Sequence, residues 1–198
     1  MTIHPMEARH WPQVRAIYEA GMATGNATFA TQVARGQGWN KAHLPHSRLV
    51  AQHPSGRILG WAALAPVSEQ GYPQGVAQIQ LYVAPAAQNQ GVGRALLAAL
   101  VAASEAHGIW TLHAVVFPEN PAMQHLAKGA GFRVAGQHQR IGQLHGIWRD
   151  VLVLERRSAV VGTTDSSQLP VSRARPAGGA LPHSARNPMG SVTLTPTG

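Results

Sequence analysis

Between Leu81 and Ala95 the chain reads Leu-Tyr-Val-Ala-Pro-Ala-Ala-Gln-Asn-Gln-Gly-Val-Gly-Arg-Ala, and those residue types suit the holding of an anion. Gln90, Gly91, Val92 and Gly93 fall where an apolar run (Ile79, Leu81, Val83) meets a long apolar-periodic segment, Arg94 to His107. Amides at the start of a helix lack intrahelical acceptors, and the helix dipole adds partial positive charge there. Glycine lets a ligand come close to the backbone. Such a turn reads as a cradle for a phosphate or pyrophosphate. It is not the nucleotide P-loop, because no Lys-Ser/Thr pair follows Gly93. Nor is it a full dinucleotide fingerprint, since Leu96 stands where a third glycine belongs and no acidic residue follows at the ribose distance. On spacing alone, a tight strand-to-helix connection that binds nothing fits equally well.

The elements that must position this turn follow from periodicity. Thr2 to Ala8 suits a first strand. Trp11 to Ala23 has Trp11, Val14, Ile17, Tyr18 and Met22 at helical spacing, with Pro12 in the first turn. Thr24 to Thr31 is too rich in Thr, Gly and Asn for a regular element, and loops of this kind carry binding residues. Gly38 to Leu44 reads as a short helix closed by Pro45. Arg48 to Gln52 and Arg57 to Ala65 read as strands joined at Pro54-Ser55-Gly56. After a loop from Pro66 to Pro73, Gly75 to Val83 is expected as the central strand. Beyond the glycine-turn helix come a strand (Trp110 to Phe117), a helix (Asn120 to Lys128), and strands at Phe132 to Arg140 and Val151 to Leu154. Helices between strands, with hairpins at both ends, predict a mixed α/β sheet.

Residues 1–157 are thus expected to form one domain. Residues 158–198 are rich in Ser, Thr, Pro and Gly without sustained period, and are expected to be a low-complexity, disordered tail. The chain has no cysteine, hence no disulfide, thiolate nucleophile or Cys-type zinc site. Its apolar runs are too short to span a membrane and no signal-peptide core opens it, so a cytoplasmic location is expected. The formal net charge of +8 points to an anionic partner. A nucleic acid is not the expected one, because no long basic run or aromatic-basic interleaving occurs. Eleven histidines raise a metal reading, but His43 and His46 are interrupted by Pro45, so no metal is expected.

The wording of the motifs adds a resemblance. Gln88-x-x-Gly91-x-Gly93 is similar to the acetyl-CoA pyrophosphate motif of the GNAT superfamily of N-acetyltransferases. Ile17-Tyr18, Ala27-Thr28-Phe29-x-Thr31, Leu81-Tyr82-Val83, Pro118-Glu119-Asn120, Gly131-Phe132 and His145-Gly146-x-Trp148-x-Asp150-Val151 resemble, in order, the motifs of its phosphinothricin acetyltransferase-like group. The resemblance implies an α/β GNAT fold, with a mixed central sheet of about seven strands flanked by helices. It implies acetyl-CoA as co-substrate, a small primary amine as acceptor, and a homodimer. Carried over by position, Leu81, Tyr82 and Val83 give backbone contacts to acetyl and pantetheine. Gln88, Asn89, Gln90, Gly91, Val92, Gly93 and Arg94 hold the pyrophosphate, and Asn120 bonds the pantetheine arm. Phe29, Thr31 and Trp148 are implied at the acceptor pocket.

The chain departs from the group where chemistry is expected. Gln78 stands in place of the group's usual glutamate base, and an amide does not accept a proton at neutral pH. The group's Leu-His pair is Leu126-Ala127, with His125 two residues early, roughly 200° round a helix. Glu19, Glu119, His125 and His145 are candidate substitutes. The expected function is N-acetyl transfer from acetyl-CoA to a small amino-acid-like or xenobiotic amine. The alternative is an acetyl-CoA-binding protein with weakened or lost catalysis.

Overall fold

A computed structural model describes residues 1–67 and 75–163. The described chain builds a seven-stranded sheet in the order β1-β2-β3-β4-β5-β7-β6. The strands are β1 (Thr2–Pro5), β2 (Arg48–Gln52), β3 (Ile58–Pro66), β4 (Val76–Val83), β5 (Thr111–Val116), β6 (Arg133–Leu144) and β7 (Ile147–Arg157). The helices are α1 (Trp11–Ala23), α2 (Gly36–Lys41), α3 (Val92–Ala106) and α4 (Pro121–Gly129).

One pairing decides everything functional. β4 and β5 run parallel, joined by α3, whereas every other neighbouring pair is antiparallel. Their ladder covers only Val76↔Thr111, Ala77↔Leu112 and Gln78↔His113. From there β4 continues to Val83 and β5 to Val116, each held by its outer neighbour alone. The sheet therefore opens as a wedge.

Each face of the sheet has its own apolar cluster. α3 buries Val92, Leu96, Leu97 and Leu100 against Ile79, Leu112, Ala114 and Leu154. That spacing is the apolar stripe of a surface helix facing a sheet. On the opposite face α1 buries Val14 and Ile17 against Trp39, Val50, Trp61 and Ala63. Trp39 and Trp61 are core side chains at 2% and 0% exposure. Gly60 allows the close approach of β4, since a Cβ there would meet the Tyr82 carbonyl at 2.8 Å.

Several expected boundaries move. The first strand ends at Pro5, and a 3-10 turn at Ala8–His10 leads into α1. The short helix starts at Gly36 and ends at Lys41, before Pro45. The last two strands are much longer than expected and form one hairpin, closed by His145 (φ 51°) and Gly146 (φ 81°). Two successive positive φ angles make the primed turn whose twist suits a hairpin. The expected 66–73 loop falls mostly outside the described residues, as do residues 164–198 of the expected tail. Residues 158–163 belong with the compact unit Met1–Thr163. Buried Ser158 donates to Glu105 Oε1 at 2.8 Å, and its Oγ accepts from the amides of Val160 and Val161. No described helix is long and apolar enough to cross a membrane.

Candidate active site

The wedge opens into a cavity of about 1310 Å³, and most of the motif residues line it. At one end stands the start of α3. Gly91 is the residue before the helix, in the left-handed region at φ 79°, and the first i→i−4 bond runs from the Ala95 amide to the Gly91 carbonyl. The amides of Val92, Gly93 and Arg94 are thereby left without intrahelical acceptors. Asn89 also has positive φ (60°), so the chain turns sharply just before the helix. The two glycines serve different needs. Gly91 supplies the backbone conformation, whereas a Cβ on Gly93 would lie 3.2 Å from Leu126 Cδ2 and 3.6 Å from Val83 Cγ2. Gly93 lets α3 approach α4 and the end of β4.

Gln88, Asn89, Gly91, Val92, Gly93 and Arg94 all line this end. Gln90 does not; its Nε2 donates back to the Ala86 carbonyl at 2.9 Å and steadies the turn. Leu81, Tyr82 and Val83 line the wedge on the β4 side. Asn120 lines it from the start of α4, where its Oδ1 accepts from the Met123 amide at 3.0 Å as the helix cap. Its Nδ2 donates to the Asn26 carbonyl at 3.2 Å. This end suits a phosphate-bearing ligand with an extended arm: helix-terminal amides without intrahelical acceptors, glycines at the turn, and a β4 edge with no strand against it.

The other end is made of side chains. Tyr18, Thr28, Phe29, Gln78, Gln80, Tyr82, Val115 and Phe117 line it. Tyr82 stacks on buried Trp61 (4.9 Å) and meets Tyr18 at 4.8 Å. Gly21 makes room for that ring, since a Cβ there would sit 2.5 Å from Tyr82 Cδ1. Burial pushes the Tyr82 phenol far up, and neighbouring Tyr18 adds to the rise. Burial raises the Tyr18 phenol too, with Thr28 and Tyr82 opposing. Both rings keep their protons at neutral pH and present hydrogen-bond donors. Phe29 packs edge-on to Phe117 at 4.8 Å and over Gly142 of β6.

The candidate chemical groups separate. Gln78 and His125 line the cavity; Glu19 does not, being an exposed carboxylate bonded to Arg15 at 2.8 Å, one turn away on α1. Thr31 and Trp148 are exposed, Trp148 to 56%, and neither lines the cavity. His145 is exposed in the hairpin turn. Glu119 lines the cavity but is paired with Arg149 Nη2 at 3.0 Å. Its own backbone N–H and Arg149 hold this carboxyl below the usual range.

Two features escaped sequence reasoning. Arg149 lies within the His-Gly-x-Trp-x-Asp stretch at a position the motif leaves open, and only the fold shows its reach to residues 25, 26 and 119. The second is a cluster of His4, Glu7 and His10. The His10 Nδ1 accepts from the Glu7 amide at 3.0 Å. A neutral imidazole has one lone pair, and here it is occupied in capping the 3-10 turn.

With this geometry in view, comparison with known proteins identifies the class. The profile of the Acetyltransferase (GNAT) family matches residues 11–132. The chain belongs to this acetyltransferase family. It is 28% identical over 151 residues to an L-methionine sulfoximine/L-methionine sulfone acetyltransferase of Pseudomonas aeruginosa, covering 73% of this chain and 87% of the relative. It is 32% identical over 154 residues to a phosphinothricin N-acetyltransferase of Alcaligenes faecalis, covering 73% and 76%. In fold it is similar to a GNAT superfamily phosphinothricin acetyltransferase of Sinorhizobium meliloti solved in complex with AcCoA. That match has TM-score 0.75 at 22% identity, over 83% of this chain and 91% of the other.

Proposed function

We propose that the protein transfers an acetyl group from acetyl-CoA to the primary amine of a small amino-acid-like or xenobiotic acceptor, by direct attack with both substrates bound. The observation that carries this reading is the continuity of one cavity, from the bare α3 terminus through the wedge to the aromatic end. The names of the two relatives, acting on methionine sulfoximine and on phosphinothricin, support a small amine acceptor.

Acetyl-CoA supplies an activated thioester. The amides of Val92, Gly93 and Arg94 and the turn from Gln88 hold its pyrophosphate through oriented N–H groups. The free edge of β4 at Leu81, Tyr82 and Val83 takes the pantetheine arm as an added strand would be taken. Asn120 borders the same arm. Phe29 walls the acceptor, and the Tyr18 and Tyr82 hydroxyls orient it. Thr31 and Trp148 stand outside the cavity of a single chain. Exposed Val134, Ile141, Ile147 and Trp148 make the β6–β7 hairpin the face on which two copies would pair, giving a homodimer.

An alkylammonium has a pKa of about 10.4 and must lose a proton before attack. Gln78 lines the cavity but accepts no proton. Glu119 is engaged with Arg149, which leaves His125 as the lining group that takes the proton, directly or through water. Proximity in the shared cavity and hydrogen bonding to the developing oxyanion supply the rest.

Gln78 also favours a second reading, a protein that binds acetyl-CoA with weakened or lost catalysis. Purified protein incubated with acetyl-CoA and a panel of amines, followed by thiol release, separates the two. Turnover on at least one amine supports transfer. Binding of acetyl-CoA without turnover on any amine supports the second reading.

A further inference from the structure

Arg149 makes more specific contacts than its open place in the sequence suggests. It starts on β7, with a side chain 14% exposed. Its Nη1 donates to the Gly25 carbonyl at 3.0 Å, and its Nη2 donates to Asn26 Oδ1 and to Glu119 Oε2, both at 3.0 Å. The guanidinium carbon lies 4.3 Å from the centre of the Phe117 ring. Phe117 in turn holds Phe29 edge-on. The carbonyl of Asn26 accepts from Asn120 Nδ2.

One side chain therefore ties together three separate pieces of the cavity wall. The loop between α1 and α2 supplies Asn26, Thr28 and Phe29; Phe117 follows directly on β5; and the approach to α4 supplies Glu119 and Asn120. Elsewhere the loop is held by Asn120 Nδ2 on the Asn26 carbonyl, by Thr28 hydrogen-bonded with Tyr18 and Tyr82, and by bonds of Thr24 and Thr28 within the loop and to the end of α1; Arg149 adds two hydrogen bonds to it from β7. A guanidinium suits the task because its planar fork donates in several fixed directions at once and its face stacks on an aromatic ring. Lysine offers one point charge.

We infer that Arg149 is a positioning residue that fixes the 24–29 loop, and with it Phe29, as the acceptor wall. This rests on the proposed acetyl transfer. The residue acts through the loop, not on the reacting atoms. Its loss displaces the acceptor while leaving the α3 terminus and the β4 edge intact, so acceptor affinity falls and acetyl-CoA affinity does not. Displacements of about 1 Å in a positioned substrate are worth up to ~10²-fold.

The test uses full-length wild type, Arg149→Gln, Arg149→Lys and Asn26→Gly, with an amine that the wild type turns over. Asn26→Gly removes one partner of Arg149 and keeps both backbone carbonyls. Hydrogen exchange of residues 24–29, acetyl-CoA affinity by calorimetry, and acceptor KM and kcat are measured on each. The expected result for Arg149→Gln is a roughly tenfold or larger rise in acceptor KM, faster exchange confined to the loop, and unchanged acetyl-CoA affinity. Arg149→Lys and Asn26→Gly fall between it and wild type. An unchanged acceptor KM in a folded Arg149→Gln overturns the inference while leaving acetyl transfer standing. An equal loss of acetyl-CoA affinity also overturns it. If Arg149→Gln does not fold, Asn26→Gly decides, and wild-type acceptor KM and loop exchange in that variant overturn the inference. A wild type that turns over no amine removes the proposed reaction and the positioning role with it.

Discussion

The two ends of the cavity are built by different means. At the α3 end the groups proposed to face the ligand are backbone: amides freed by a helix start, a left-handed Gly91, and the unpaired edge of β4. At the acceptor end they are side chains gathered from α1, the 24–29 loop, β4, β5 and, through Arg149, β7. A backbone site needs only local geometry and tolerates wide change in sequence around it. A side-chain site depends on each residue and on the distant contacts that hold it. The contrast teaches where a shared donor and a variable acceptor would be written in such a chain.

The largest effect should come from Gln78→Glu, which changes the chemistry at the acceptor end and nothing at the α3 end. A carboxylate there supplies a general base, worth about 10²-fold or more in kcat. Steady-state kinetics across pH should show that gain with unchanged acetyl-CoA affinity. No gain would mean that proton removal by way of His125 does not limit turnover.

Phe29→Ala should raise acceptor KM by roughly threefold to tenfold, from the lost aromatic pair and wall area. Acetyl-CoA KM should stay put. A shift in both would blur the division between the ends.

The smallest effect concerns the wall behind the acceptor end. His43 stacks on Trp39 at 4.0 Å and is buried beside Trp61. Burial pulls its pKa below the usual 6.5, opposed by its bond to the Trp39 carbonyl. Burial also lowers His10 and His46. Because each folded pKa lies below the unfolded one, stability is whole above about pH 6.5 and falls as pH drops through the window below it. Thermal melts from about pH 7.5 to 5 should show that decline, and His43→Gln should reduce its slope.

What was legible in the sequence follows the same contrast. Gly91 and Gly93 announce a backbone device at fixed spacing, so the turn, α3 and the strand before it were readable locally. The mixed sheet followed from alternating periods. The length of the β6–β7 hairpin is not legible there, because His145-Gly146 reads as part of a motif as readily as a primed turn. Glu19 sits on the right helix, but its rotation about α1 points it at Arg15 instead of the cavity. Trp148 and Thr31 carry motif resemblance but lie outside the single-chain cavity. Arg149 was invisible because its partners lie more than a hundred residues away in sequence at Gly25 and Asn26. No local pattern encodes such a contact.

The glycine turn and α3 terminus are proposed to bind the pyrophosphate of acetyl-CoA. Calorimetric titration of the wild type with acetyl-CoA and with S-acetylpantetheine, which lacks the pyrophosphate and nucleotide, tests it most directly. Charge-assisted hydrogen bonds are each worth about 1.5–3 kcal/mol, so acetyl-CoA should bind at least ~10²-fold more tightly. Equal affinity for the two thioesters would contradict the account.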